Sequence, residues 1–429
     1  MLVAGALLVV AGAAGFDGTV RAVSIVLEIV FVAFFARHLA FAVAALRFAP
    51  TDLDADVDVA SATHDLPTVS VLVACLNEEA VVGSLIKAFQ ALDYPSHLIE
   101  FLIVDDGSTD ATGAMLDRLS SDDGRITCLH RAAGSGGGKS GALNEALIHA
   151  RGEIIVVFDA DHRPRPDVVR RLVRHFRDPN VAAAQGRCVI RNRADSLLAR
   201  LVWVDYLAGY LVNEYGRQAL FQLPAYGGAN CAVRAANLRA AGGWNTDSVT
   251  EDTDLTLRLM LGGRRVRYDV TAVDEEEGVV SLDRFWRQRY RWARGHQQAW
   301  RDYRRAVWRS ERFTLGEKVE LTMFLLVFHL PVASALGLLI FLMWMTGLAR
   351  PFGDVNTFIF WTLLFLGPLL ELGGGLLLSR SPRSSARLLV YFLPVFFVSI
   401  ALCTKAWLDT ARRRRYSWVK TERAGAIAL

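Results

Sequence analysis

The chain has 429 residues, 52% of them hydrophobic, with a net charge of +4 at pH 7. That apolar content is high for a soluble protein and is concentrated in 21–48 and 317–408, which points to membrane segments around a globular middle. The small net charge excludes the broad basic field of a nucleic-acid binder. Its local basic clusters suit phosphates or an anionic lipid surface, so membrane lipids are expected partners and nucleic acid is not.

In chain order, residues 1–16 (MLVAGALLVVAGAAGF) lack the positive n-region of a signal peptide and read as a weak first membrane helix. Residues 21–47 exceed the ~20 residues needed to cross a bilayer. Glu28 and Arg37 inside that stretch should face protein or the interface. Residues 1–48 thus form an N-terminal transmembrane region, and 49–66 an acidic linker. Between 67 and 280, strands are expected at 69–75, 100–104, 125–130, 153–158 and 182–190. Helices are expected at 79–92, 111–120, 139–150 and 166–176. Such alternation predicts an α/β domain on a mostly parallel sheet, with ligands beyond the carboxyl ends of the strands.

Residues 281–309 (SLDRFWRQRYRWARGHQQAWRDYRRAVWR) read as a basic, Trp-rich amphipathic helix suited to a membrane surface, within an interfacial region 281–316. Apolar segments at 317–346, 355–378 and 388–408 make a C-terminal transmembrane region, 317–409, before a basic tail, 410–429. Three late crossings would put that tail outside, against the positive-inside tendency, so part of 315–330 is expected at the interface before Pro331. The five cysteines, Cys75, Cys128, Cys188, Cys231 and Cys403, form no CxxC pair, so no zinc or disulfide framework is expected.

Four stretches carry chemistry. In VVFDADHRPRP (156–166) a buried strand runs into Asp159 and Asp161. If the extended conformation persists, both carboxylates point one way and can hold a hard divalent cation, with positions open to substrate phosphates. A surface turn would also suit these residues. Upstream, one strand ends in Asn77-Glu78 and the next in Asp105-Asp106-Gly107-Ser108. Asp105 could accept hydrogen bonds from a base, and Glu78 could reach a ribose hydroxyl. Thr250-Glu251-Asp252 opens a helix, where simple capping by Thr250 is the plain alternative. On the helix that carries QRYRW (288–292), Trp286, Tyr290, Ala293, Trp300 and Val307 form one stripe. Gln288, Arg291 and Trp292 fall opposite, which suits a face looking into a site. AAGSGGGKSGAL (132–143) approaches a P-loop, but the first glycine of that motif would be residue 133, which is Ala133.

The ordered set DDGS, DAD, TED and QRYRW resembles the membrane-embedded, processive family 2 glycosyltransferases, such as cellulose, hyaluronan, chitin and poly-N-acetylglucosamine synthases. The likeness covers about residues 67–300. It implies a nucleotide-sugar-binding domain of the GT-A type inserted between transmembrane helices. It implies an inverting transfer from a UDP-sugar, UDP-GlcNAc or UDP-glucose, to a growing β-linked polysaccharide. The alternative within the family is a single transfer to a lipid-linked acceptor. By the resemblance Asp252 is the base. Asn77, Glu78, Asp105, Lys139, Asp159, Gln288 and Arg291 hold the nucleotide sugar, and Asp161 with Asp159 holds Mg²⁺ or Mn²⁺. Glu251 and Trp292 meet the acceptor. A multi-pass protein of the cell (inner) membrane with a cytosolic catalytic domain follows, with room for a small accessory membrane subunit.

Overall fold

The computed structural model describes residues 2–49, 66–349 and 354–414. The acidic linker and most of the basic tail lie outside them. The chain opens with α1 (Leu2–Phe48), broken at Gly15 where φ is 70°. The two expected N-terminal membrane helices are therefore one run with a break. The globular domain then builds β1 (Val69–Cys75), α2 (Val82–Gln90), β2 (Ile99–Asp105), α3 (Thr112–Asp122), β3 (Ile126–His130) and α4 (Gly138–His149). It continues with β4 (Ile154–Val157), β5 (Arg163–Pro164), α5 (Val168–Val173) and β6 (Val181–Ile190). Next come α6 (Leu197–Leu207), a π-helical stretch (Ala208–Glu214) and α7 (Tyr215–Phe221), then β7 (Cys231–Arg234), α8 (Ala235–Ala240), α9 (Glu251–Leu261) and β8 (Arg265–Glu276). Five helices follow: α10 (Leu282–Arg309), α11 (Leu315–Leu326), α12 (Leu330–Met345), α13 (Asp354–Leu378) and α14 (Phe392–Ala411).

The eight strands form one sheet in the order β3-β2-β1-β4-β7-β6-β8-β5. The apolar runs of β1 and β4 are buried on both faces, as central parallel strands require. Phe89, Phe101 and Phe158 pack on one face, with the Phe89 and Phe101 rings stacked at 4.9 Å. Leu143, Trp244, Leu255 and Leu259 pack on the other. The sheet is mixed: four pairings are parallel, as expected, while β7 runs antiparallel between β4 and β6, and β5 runs antiparallel to β8. This brings the carboxyl ends of β1, β2, β4, β6 and β8 to the same edge as the amino end of β7. The architecture is a GT-A-like α/β domain.

Helix α10 departs from the surface helix expected of it. Ala293, with Trp286 and Tyr290, packs on Leu402, Cys403 and Ala406 of α14. Further along, Ala299, Trp300 and Val307 join the domain core beside Leu321 and Leu325 of α11. The apolar stripe is therefore covered by the chain's own helices, and α10 bridges the α/β domain and α14.

Among the described residues, three helical runs are long and apolar enough to cross a membrane: Gly15–Phe48, Leu315–Met345 and Arg383–Ala411. A shorter apolar helix covers Phe365–Leu378. The run from Leu315 is interrupted at Val327–His329, where α11 gives way to α12 just before Pro331. Arg37 faces protein, as its cost in an apolar segment demands. It is buried and donates from Nε and Nη2 to Glu320 at 2.9 Å each, and from Nη1 to Asn213 at 3.2 Å.

Candidate active site

The common sheet edge gathers the acidic motifs. Val157 pairs with Cys231, which sets the segment before β7 beside the segment after β4. Strand β4 stops at Val157, so Asp159–Asp161 is a turn and not a continued strand. The His162 N–H donates to the Asp159 carbonyl at 3.1 Å and closes it. The turn still brings carboxylate oxygens of Asp159 and Asp161 and a His162 nitrogen within 4.8 Å of one another. Asp161 is buried and Asp159 partly exposed. Two hard oxygen donors with room at one side fit a divalent cation. His162 is held from both sides: Nδ1 meets Asp274, and Nε2 lies 3.1 Å from Glu276. Burial opposes its charge, but these two carboxylates keep its pKa well above the usual histidine value.

Lys139 reaches across from the first turn of α4. Its Nζ lies 2.5 Å from Asp159 and 3.7 Å from Glu251, and donates to the Gly228 carbonyl at 2.8 Å. Burial works against the ammonium, yet the two carboxylates raise its pKa above the free value. That placement sets Lys139 among acids of two other segments, at the carboxyl edge of the sheet. Gly228 marks the focus: a Cβ there would stand 3.3 Å from Glu251 Oε1 and Lys139 Nζ and 3.4 Å from Asp252 Oδ2. Any side chain at Gly228 would crowd these three groups, a constraint visible only in space.

Thr250 stands at the N-cap position of α9, but its hydroxyl makes no capping bond. Its side chain packs on α10 at Gly295 instead. Asp252 accepts from its neighbour, Thr253 N–H, at 2.6 Å and leaves its other oxygen toward Gly228. Burial raises the pKa of Glu251, which Lys139 partly offsets and Asp252 reinforces.

A cavity of about 860 Å³ opens from this point. At one end it is lined by Lys139, Asp159, Glu251, Asp252, Gln288, Arg291 and Trp292, so the structure brings these predicted residues together. At the other end it is lined by Phe324, Phe328, Phe365, Leu372, Phe392 and Phe396. Arg291 is partly buried on this wall, where its charge bears on Glu251. One face of Trp292 is covered by the Arg289 guanidinium, 4.2 Å from the ring centroid, which Asp205 holds at 2.5 Å. His296 also lines the cavity, its pKa lowered by burial to about 4, so it is neutral at physiological pH. Sequence patterns gave no notice of it, of the buried Glu276 or of the half-buried Tyr206.

Asn77, Glu78, Asp105 and Asp161 do not line this cavity. Asp105 is buried at the end of β2, accepting from the Ser108 N–H at 3.0 Å and facing His130 Nδ1 at 3.1 Å. Asn77 adopts positive φ (54°) and accepts from the Thr109 N–H at 2.7 Å, while the Glu78 N–H donates to Thr112 Oγ1 at 2.7 Å. These bonds tie the loops after β1 and β2 into one rim.

A GT-A-like domain with acids at one sheet edge and an arginine–tryptophan helix over them defines a sugar-transferring enzyme. The family described as glycosyl transferase family 2 matches residues 70–237, and glycosyl transferase family group 2 matches residues 154–404. The chain belongs to the family 2 glycosyltransferases. It is 38% identical over 287 residues to a beta-monoglucosyldiacylglycerol synthase of Synechocystis sp., covering 66% of this chain and 59% of that protein. It is 26% identical over 253 residues to a poly-beta-1,6-N-acetyl-D-glucosamine synthase of Staphylococcus aureus (strain COL), covering 58% of this chain and 60% of the relative. The matched stretch thus spans under two thirds of either relative. In fold it resembles the mannosyltransferase PcManGT from Pyrobaculum calidifontis, solved with GDP-Man and Mn²⁺. The TM-score is 0.55 at 20% identity, over 92% of this chain and all of that one.

Proposed function

We propose that the protein transfers a single sugar, glucose or N-acetylglucosamine, from its UDP-sugar to a free hydroxyl of a membrane glycerolipid, with inversion at the anomeric carbon. The observation that carries this is the cavity. Asp252 and Arg291 stand at one end, and apolar side chains of α11, α13 and α14 at the other. Asn213, Glu214, Arg217 and Glu371 line the cavity too, but apolar surface predominates, which suits acyl chains better than the hydrogen-bonding path of a growing polysaccharide. The 38% identity to a beta-monoglucosyldiacylglycerol synthase supports the same reading. The three long apolar helices are read as crossing the cell membrane, with the catalytic domain on the cytosolic side, where nucleotide sugars are made.

In this reading Asn77, Glu78 and Asp105 form the nucleoside end. Lys139, Gln288 and Arg291 hold the diphosphate, and Glu251 and Trp292 border the acceptor. Asp252 takes the proton from the lipid hydroxyl as its oxygen bonds to the anomeric carbon. The bond to the diphosphate breaks on the opposite face and UDP leaves. Arg291 and Lys139 offer positive charge where negative charge grows on the leaving group. A divalent cation on Asp159 and Asp161, when bound, supplies further charge neutralisation to that diphosphate.

Polymer synthesis is the second reading, favoured by the QRYRW motif and by the 26% identity to a polysaccharide synthase. Arg289 covers one face of Trp292, which leaves the other for a sugar under either reading. The deciding experiment incubates the purified protein with labelled UDP-sugars and a diacylglycerol, then weighs the products by mass spectrometry. A monoglycosylated lipid supports our reading. A ladder of oligosaccharides without lipid would replace it by the second.

A further inference from the structure

The cavity has a second end, and its position is informative. Of the described residues that line it, those exposed on the outside of the chain are Val390 and Leu393, at 74% and 49% of their surface. Every other lining residue is buried or half-buried. The opening is thus apolar, and it lies on the short helix Arg383–Tyr391 and the first turn of α14. Inward from it the lining runs through Leu389, Phe392 and Phe396 on one side and Phe365, Pro368 and Leu369 on the other. Arg383 and Arg387 stand exposed on the same segment.

We propose that this opening is a lateral doorway through which the acyl chains of the acceptor lipid pass between α13 and the Arg383–Leu393 segment. The proposal rests on the lipid reading of the active site and adds where the lipid enters. Three considerations commit it to a lipid chain. An opening onto water would leave Val390 and Leu393 exposed at a cost of about 25 cal/mol per Å² of apolar surface, a cost that hydrocarbon contact removes. The opening is continuous with the cavity that ends at Asp252. The nearby arginines also match the anionic phosphate layer of a bilayer, where their guanidinium groups find partners while the adjacent apolar residues sit below. A soluble sugar chain offers neither the hydrocarbon nor the phosphates.

The test uses the full chain in nanodiscs. A diacylglycerol carrying a diazirine near the end of one acyl chain is photolysed after binding, and the adduct is located by peptide mass spectrometry. Adducts are expected within 383–396, displaced by unlabelled diacylglycerol. In parallel, Val390→Trp and Leu393→Trp narrow the opening from outside, at exposed positions that leave the core intact. Each should raise KM for a long-chain diacylglycerol about tenfold. UDP affinity and transfer to a short monoacylglycerol, whose chain ends inside the cavity, should hold within twofold. Adducts confined to other segments, or long and short acceptors affected alike, would overturn the doorway while leaving the lipid reading in place. Transfer to neither acceptor by the parent protein would overturn that reading, and the doorway with it.

Discussion

Gly295 of α10 lies against Thr250 at the start of α9: a Cβ at 295 would stand 2.7 Å from Thr250 Cβ and nearer still to the ends of its side chain. The motif that carries Asp252 and the helix that carries Gln288 and Arg291 are therefore held in contact at a glycine. Alanine would stabilise an isolated helix by ~1 kcal/mol over glycine. Here it meets a buried side chain, and overpacking of this kind costs about 1–3 kcal/mol. Gly295→Ala should therefore lower the melting temperature and cut kcat/KM at least tenfold by tilting α10 off α9. A variant with higher stability and parental kinetics would show that the contact is slack.

Asp252→Asn keeps the size of the side chain and an oxygen able to accept from the Thr253 N–H. It cannot take a proton. The variant should fold and bind UDP-sugar normally but lose about 10² to 10⁴ in transfer rate. Near-parental turnover by the folded variant would move suspicion to Glu251.

Activity should vanish with EDTA and return with Mg²⁺ or Mn²⁺. Asp161→Ala should lose the metal-dependent part of UDP binding, measured by calorimetry with and without the ion. Unchanged metal dependence in that variant would remove the Asp159–Asp161 turn as the cation site.

Glu251 gives a pH signature. Burial raises its folded pKa above the unfolded value of ~4.3, so unfolding releases a proton once pH exceeds that value. Its contribution to stability is best below the unfolded pKa and worsens as pH rises toward the folded one. Glu251→Gln should raise the melting temperature at pH 8 relative to the parent, with the gain shrinking toward pH 5. A gain that does not vary with pH would assign the effect to packing.

Arg37 and Arg217 share the Glu320 carboxylate, at 2.9 and 3.1 Å. Breaking a buried pair by removing one partner costs about 3–5 kcal/mol. Because Arg217 remains, Arg37→Met should fall at the low end, read as a drop in thermal stability in detergent. Adding Glu320→Gln should recover part of it. Additive losses in the double variant would mean that the two residues do not act as a pair.

The apolar runs at 69–75, broken only by Ser70, and at 154–157 announce buried strands directly, and the acids after them announce the active edge. Strand β8 hides from the same logic. Its sequence RVRYDVTAVDEE looks solvated, yet most of it is buried, because Asp269 meets Arg174 and His175 and Asp274 meets His162. Pairing across a fold leaves no trace in a local window. The α6–π–α7 run failed for a related reason: most of it is apolar around its circumference, so no single face marks a helix. The QRYRW face was legible from helical spacing. That the opposite stripe would meet α14 was not, because a stripe seeks any apolar partner, lipid or protein.

Helix α10 also works as a ruler. Arg291 precedes Gln297 by six residues, about 9 Å along the axis. The Gln297 side-chain amide donates to the carbonyls of Phe328 and Cys403 at 3.3 and 3.2 Å, which pins that point to the apolar helices. The arginine's height above them is thus fixed by covalent geometry. One residue inserted between the two would swing Gln288, Arg291 and Trp292 by about 100°. Seven would restore their direction but lift them roughly 10 Å. If the acceptor is a lipid, as proposed, the depth at which its hydroxyl is glycosylated is counted out in turns of backbone.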